Sequence, residues 1–318
     1  MGAAPEISIV LPAHNEAANI APIAAAVAQA MGSASHEIIF VDDGSSDGTL
    51  AAIRATAGDS AVRYVSFTRN FGHQAALRAG LRHAEGRAVI LMDADFEHPP
   101  ELIPQLIAAW RGGAKIVATR RDDADTVSAG KKLSSRLYYR VLDSIGDVRI
   151  EPGSADYMLL DRAVVDTVNA IEDQEIFLRG LVRGLGYPLV TIPSTRGTRQ
   201  HGASKYSLRR MVELALTGIA AHSVRPLRFA IWLALGFAAL GFIFVIYALV
   251  SFLFVQHTVA GWSSIVAVIA ILGAAQLLVL GIIGEYVGRI LRETRKRPSY
   301  VVAETETDRR DAASHPTT

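Results

Sequence analysis

Asp93, Asp95 and Glu97 alternate along the end of an apolar run, in the segment "VILMDADFEHPPE" from Val89 to Glu101. Carboxylates this close repel one another, and without a cation at least one would take up a proton at neutral pH. An oxygen-only set favours a hard divalent ion, Mg2+ or Mn2+, over zinc. Mg2+ takes one or two carboxylates and completes its shell with substrate phosphates, so the cluster points to a nucleoside-diphosphate site. A solvated acidic loop is the plainer reading, and a second acidic pair, Asp42 and Asp43 in "VDDGSSDGT", weakens it. The chain has no cysteine, which removes disulfides, thiolate metal sites and cysteine nucleophiles. A formal net charge of +1 argues against a nucleic-acid partner.

The elements that must position these acids alternate strand and helix. Apolar runs predict strands at Ile7–Leu11, Glu37–Val41, Val62–Phe67, Ala88–Met92 and Lys115–Thr119. Helical patterns fill the intervals, from the Ala-rich stretch ending near Met31 to Pro100–Trp110. Uninterrupted apolar strands in this rhythm predict an α/β fold, a parallel sheet covered by helices on both faces. Ligands of such sheets bind outside the carboxyl ends of the strands. Here those ends read "PAHNE", "DDGSSDGT", "TRNFG", "DADFE" and "TRRDD", five polar ends on one edge. There is no G-x-x-x-x-G-K-[ST] and no G-x-G-x-x-G after the first strand, which excludes a P-loop and a dinucleotide site. A D-x-D-x-T phosphatase-type nucleophile fails because Phe96 and Glu97 follow the second aspartate.

The C-terminal part differs in kind. No charge occurs between Phe229 and Gln256, nor between Thr258 and Gly284. Each stretch exceeds the roughly 20 apolar residues that a membrane-crossing helix needs. The expected organisation is a catalytic domain at 1–203, an amphipathic interfacial region at 204–228, spans at 229–256 and 258–284, and a tail at 285–318. A surface helix packed on the catalytic domain is the plainer reading of 204–228. Arg225 and Arg228 precede the first span, and Arg289, Arg292, Arg295, Lys296 and Arg297 follow the second. The positive-inside rule then predicts a multi-pass protein of the inner (cytoplasmic) membrane, with both termini and the catalytic domain cytoplasmic. The tail after Val302 is polar without apolar period, which predicts disorder. Gly236, Gly241, Gly273 and Gly281 would permit close packing between spans, and with it a homo-oligomer. The N-terminus, "MGAAPEISIVLP", lacks a basic region and reads as a first strand rather than a signal peptide.

"VLPAHNE", "VDDGSSDGT" and "MDADFEHPPE", in this order on strands one, two and four, resemble the family-2 GT-A glycosyltransferases. "GSADYMLLDR" and "RGTRQHGASKY" narrow the resemblance to polyprenyl-phosphate glycosyltransferases related to dolichyl-phosphate mannose synthase. The two apolar helices match bacterial members that charge undecaprenyl phosphate with one sugar. The resemblance implies a GT-A domain, a nucleotide-sugar donor of the UDP-glucose or GDP-mannose type, a polyprenyl phosphate acceptor, and Mg2+ or Mn2+ as cofactor.

Residue by residue, the resemblance implies that Pro12, Asn15, Glu16, Asp42 and Asp43 cradle base and ribose. Asp93 and Asp95 become the pair that holds the metal on the diphosphate, with Glu97 a third candidate ligand where relatives carry Gln. Asn70 and Gly72 fall in a donor-side motif, and Arg120 lies with Ser135 and Arg136 among phosphate-binding groups. Arg199 and Lys205 belong to a basic acceptor-end motif, and Asp156 to a motif whose acid faces the reacting centre. Asp156, Arg136, Arg199 and Lys205 form the expected catalytic set. Asp156 also reads as a structural cap or ion-pair partner, and Glu172, Asp173 and Glu175 form a rival acid cluster. Arg136 lies in "KKLSSRLYYRVLDSIG", which also reads as an amphipathic helix. His14, His73 and His98 read as local hydrogen-bonding residues. The reaction implied is an inverting single-sugar transfer, with Asp156 orienting rather than deprotonating an acceptor that is already anionic. A processive polysaccharide synthase of the same fold is the alternative. It would carry a Q-x-x-R-W motif and more spans, and "FLRGLVRG" is only a remote echo of that motif. A non-enzymatic, nucleotide-binding membrane scaffold is a third reading.

Overall fold

The computed structural model describes residues 4–57, 61–121, 154–173, 177–194, 225–254, 261–295 and 297–308. The chain divides into two units, one holding the sheet and the other the two long helices.

In the first unit the four early strands form where the apolar runs predict them: β1 (Ile7–Ala13), β2 (His36–Asp42), β3 (Val62–Phe67) and β4 (Ala88–Leu91). They alternate with α1 (Ile20–Met31), α2 (Thr49–Thr56) and α3 (His73–His83). A short 3-10 turn at Pro100–Leu102 leads into α4 (Ile103–Arg111), with prolines in the first turn of each, where a missing N–H costs nothing. β5 (Ile116–Arg121), β6 (Ser154–Asp161), α5 (Arg162–Ala170), α6 (Leu178–Gly184) and β7 (Leu189–Ser194) follow. Asp161 caps α5 by accepting a hydrogen bond from the Ala163 amide, which leaves one fewer helix-end donor unsatisfied.

Among the described residues eight strands, the last being β8 (Val302–Thr305), run in the order β7-β5-β6-β4-β1-β2-β3-β8. Strands β1 to β4 pair parallel, as expected, with every residue of β1 buried. The sheet is mixed rather than wholly parallel, because β6 inserts antiparallel between β4 and β5. Alternate side chains feed two cores. Ile9, Phe40, Ile90 and Leu159 pack with Ile23, Val27, Ile53 and Leu106 on one face. Val10, Val41, Leu91 and Met158 pack with Leu77, Leu81, Val164 and Val182 on the other.

The tail corrects an expectation. Residues 302–308 are ordered rather than disordered: β8 (Val302–Thr305) adds antiparallel to β3 at the sheet edge, and residues 298–308 belong to the first unit. Tyr300 stacks on Phe67 with ring centroids 4.9 Å apart, and Arg54 grips Glu304 through two hydrogen bonds of 2.8 and 2.6 Å. A strand this short has no stability alone; it exists because β3 offers an unpaired edge.

Among the described residues the second unit holds α7 (Arg225–Phe254) and α8 (Trp262–Thr294), each reaching past the expected bounds at its charged end. They leave between them a groove of about 550 Å3 lined by Ala234, Ala238, Gly241, Ala275 and Gln276 among others. Trp232, Phe242, Ile246, Ile269, Leu277 and Ile283 are exposed on these helices. Among the described residues, one stretch, Ile271–Gly288, is long and apolar enough to cross a membrane, and none of it is buried. Residues 204–224 lie outside the described residues.

Candidate active site

The sheet order reverses between β1 and β4, since β2 and β3 lie to one side of β1 and β4 to the other. That switch point opens a crevice at the carboxyl ends of the strands, where ligands of open α/β sheets bind. The expected site residues in the described part of the chain gather around it.

On the β1–β2 side, Asn15 adopts a left-handed conformation, φ 59°, which Asn tolerates better than most residues. Its amide donates to Ser45 Oγ at 3.0 Å and its Oδ1 accepts from the Ser46 amide at 2.9 Å. The Asn15 amide nitrogen therefore faces His14 Nε2, 3.2 Å away, while His14 Nδ1 donates to the Asp43 carbonyl at 2.9 Å. Glu16 receives a 2.5 Å hydrogen bond from Asn19, and Pro12 is buried within β1, in register with Val41.

Asp42 and Asp43 are buried, and both carboxylates turn inward. Asp42 accepts from Ser66 Oγ at 2.9 Å and from the Ser45 amide at 3.1 Å. Asp43 accepts from the Phe71 amide at 2.6 Å and from the Gly72 amide at 2.9 Å. Burial pushes the Asp43 carboxyl above its ordinary value, although the Phe71 and Gly72 amides and His14 pull the other way. Asp43 thus shapes the loop that carries Asn70 and Gly72, while Asp42 ties β3 to the Ser45 turn. Gly44 is required beneath that loop: its φ is +61°, and a Cβ there would stand 2.2 Å from the Arg69 carbonyl carbon.

Across the crevice, Asp93 leaves β4. Its amide donates to His98 Nδ1 at 2.9 Å, and the buried His98 ring stacks on Tyr157, centroids 5.1 Å apart. The Tyr157 hydroxyl donates to the Pro99 carbonyl at 3.0 Å. Burial pushes that phenol up, so it stays a donor. Asp95 caps the turn through the Glu97 amide, 2.9 Å away, and Phe96 between them sits at φ 61°. Among the described residues, no three His, Asp or Glu side chains converge as a ready-made metal cage. Asp93, Asp95 and Glu97 are therefore not gathered into a three-carboxylate site. An oxygen-only set that supplies one or two ligands fits Mg2+ or Mn2+ with a shell completed by phosphate.

Register explains how Asp156 reaches this place. Leu91 pairs with Met158 in the antiparallel β4–β6 ladder. Asp93 lies beyond Leu91 by the same step that Asp156 lies before Met158, so the two acids stand level across the strands. His73, opening α3, bridges them: its Nε2 is 3.6 Å from Asp93 Oδ1 and 3.6 Å from Asp156 Oδ2. Arg179 on α6 forks onto Asp156, Nε to Oδ1 at 3.0 Å and a terminal nitrogen to Oδ2 at 2.8 Å. Burial raises the Asp156 pKa, but the hydrogen bonds and charges of His73 and Arg179 outweigh it and hold the group far below the usual carboxylate range. Burial likewise opposes charge on His73, yet Asp156 and Asp93 lift its pKa above the ordinary value.

The sequence reading of His14 and His98 as local hydrogen-bonding residues agrees with these contacts. His73 departs from it, since it joins acids from two strands. Arg179 was missed altogether; its one signal was its place in "FLRGLVRG". Of the rival cluster, Asp173 offers its backbone carbonyl to Arg78, as does neighbouring Ile171, while Glu175 lies outside the described residues. Arg120 is exposed on β5, in register with Ser154. Ser135, Arg136, Arg199 and Lys205 also lie outside the described residues.

A sequence profile described as glycosyl transferase family 2 matches residues 8–168, which span β1 through most of α5 and every described acid of this crevice. The chain belongs to glycosyl transferase family 2. Its mixed, mostly parallel α/β sheet is the GT-A arrangement expected of the family, and the chain is a glycosyltransferase. It is 35% identical over 300 residues to the bactoprenol glucosyl transferase of Shigella phage SfV, covering 93% of this chain and 98% of that one. It is 34% identical to the uncharacterized glycosyltransferase YkcC of Bacillus subtilis, covering 93% of each chain. Among solved structures it is similar to the mannosyltransferase PcManGT from Pyrobaculum calidifontis, in complex with GDP-Man and Mn2+. That match is 17% identical, covers 90% of this chain and 88% of the other, and has a TM-score of 0.49.

Proposed function

We propose that this glycosyltransferase moves one sugar from a nucleotide sugar to a polyprenyl phosphate at the cytoplasmic face of a membrane, with inversion at the anomeric carbon. The observation that carries the reading is the level pairing of Asp93 and Asp156 at the switch point, bridged by His73. The name of the phage relative supports the lipid acceptor and makes glucose the first sugar to test. The exposed apolar surface of α7 and α8 supports two membrane spans, and the basic residues flanking them support cytoplasmic ends. Glycines at 236, 241, 273 and 281 leave room for a homo-oligomer within the membrane.

Donor base and ribose lie against the Pro12–Glu16 and Asn70–Gly72 segments, which Asp42 and Asp43 hold in shape. Asp93 and Asp95 would hold a divalent cation, and Arg120 would supply positive charge for phosphate. When bound, the cation neutralises charge building on the leaving diphosphate. Ser135, Arg136, Arg199 and Lys205 hold the acceptor phosphate. One phosphate oxygen bonds to the anomeric carbon as the bond to the diphosphate oxygen breaks from the opposite face, and nucleoside diphosphate leaves. The acceptor oxygen is already anionic, so no strong base is needed, and Asp156 orients the reacting centre.

The test incubates membranes containing the full chain with undecaprenyl phosphate, Mg2+ and a panel of radiolabelled sugar nucleotides, UDP-glucose first. The expected product is a labelled lipid phosphate sugar. Failure of every donor to label the lipid overturns the reading.

A further inference from the structure

We infer that Arg179 is a positioning residue for the transfer reaction and acts through Asp156. Both oxygens of that carboxylate are engaged by one guanidinium, at 3.0 and 2.8 Å, a planar fork that fixes the carboxylate's orientation as a single bond would not. The inference rests on the transferase reading above and deepens it. An unpaired carboxylate beside an anionic acceptor would repel it; Arg179 cancels that charge where the acceptor must approach. A carboxylate held in this way is a poor proton acceptor, which suits an acceptor that brings no proton to remove.

Arg179 is itself held from both sides. Its neighbours Leu178 and Val182 are buried in the core. The Leu178 amide donates to Gln74 Oε1 at 3.0 Å, and Arg78 reaches the carbonyls of Ile171 and Asp173 before the helix. Gln74 and Arg78 lie on α3, the helix that opens with His73. One helix therefore sets both side-chain partners of Asp156, His73 directly and Arg179 through the Gln74 contact at the start of α6.

Transfer is assayed with the full chain, undecaprenyl phosphate and the donor that labels best. Arg179→Gln is expected to lower kcat about 100-fold, the scale of a misplaced reacting group, while donor KM stays within about 3-fold. Arg179→Lys keeps the charge but not the fork, and is expected to recover to about 10-fold below wild type. Added to Asp156→Asn, Arg179→Gln is expected to cost less than about 3-fold more, because a residue acting through Asp156 has nothing left to position. The inference is overturned if Arg179→Gln retains kcat within about 3-fold, or if the double variant loses about the product of the single losses. Should Arg179→Gln fail to fold, Arg179→Lys decides: a kcat within about 2-fold of wild type refutes, and a loss of about 10-fold at unchanged donor KM supports. A wild-type chain that labels no lipid would refute the transferase reading itself, and this inference with it.

Discussion

Asp42 and Asp43 at the end of β2 and Asp93 and Asp156 across the switch point are all acids at one sheet edge, yet their surroundings differ. The β2 pair is 2% and 4% exposed, and its oxygens accept from backbone amides and a serine hydroxyl. The second pair shares His73 of α3, and Asp156 also meets Arg179 of α6. Backbone donors cannot move without moving the loop, so the first pair builds shape. The partners of the second pair are side chains of other elements, so its geometry depends on how α3 and α6 pack. Similar residue types thus hold a loop on one flank and, in the proposed function, carry the chemistry on the other.

The comparison breaks first at the chemical flank. Asp95→Ala is expected to lower metal-dependent turnover about 10³-fold while the protein still inserts and folds. A circular dichroism spectrum beside the transfer assay checks this, and full activity would sink the metal assignment. On the scaffold flank the damage should fall on stability instead. Asp43→Ala leaves the Phe71 and Gly72 amides without their acceptor and is expected to cost about 3 kcal/mol. A drop in the thermal midpoint of the solubilised chain, equal with and without donor, is the signature; an unchanged midpoint with lost turnover would move Asp43 to the chemical group. The smallest effect belongs to the tail. Tyr300→Ala, which removes the stack on Phe67, should cost about 1 kcal/mol. The partly exposed Arg54–Glu304 pair contributes less: Glu304→Gln should cost about 0.5 kcal/mol, read from the same melts. Tyr300→Ala melting like wild type would mean that β8 adds nothing to the sheet.

The strands β1 to β4 were legible because each is a buried apolar run bounded by turn residues, and β3 has the predicted ends, Val62 and Phe67. β8 was not legible. Four residues without a sustained alternation carry no signal until a partner edge exists, and β3 lies more than two hundred positions away. Asp156 was legible as a candidate acid with two open readings; the structure makes it an ion-pair partner of Arg179 and gives it His73 in common with Asp93. Arg179 was illegible because an arginine on a short helix usually faces solvent, and its partner lies on another element.

By itself the sequence determined the order of strands and helices in the first half of the chain, the polar strand ends, and the two apolar helices. These follow from local patterns of hydrophobicity and turn residues. Only the tertiary structure decided that β6 runs antiparallel between β4 and β5, in the register that sets Asp156 level with Asp93. It also decided that α3 and α6 bring a histidine and an arginine to that acid, and that the tail closes the β3 edge. Strand direction and register are settled by hydrogen bonds and packing between distant segments, which leave no periodic trace in either segment alone.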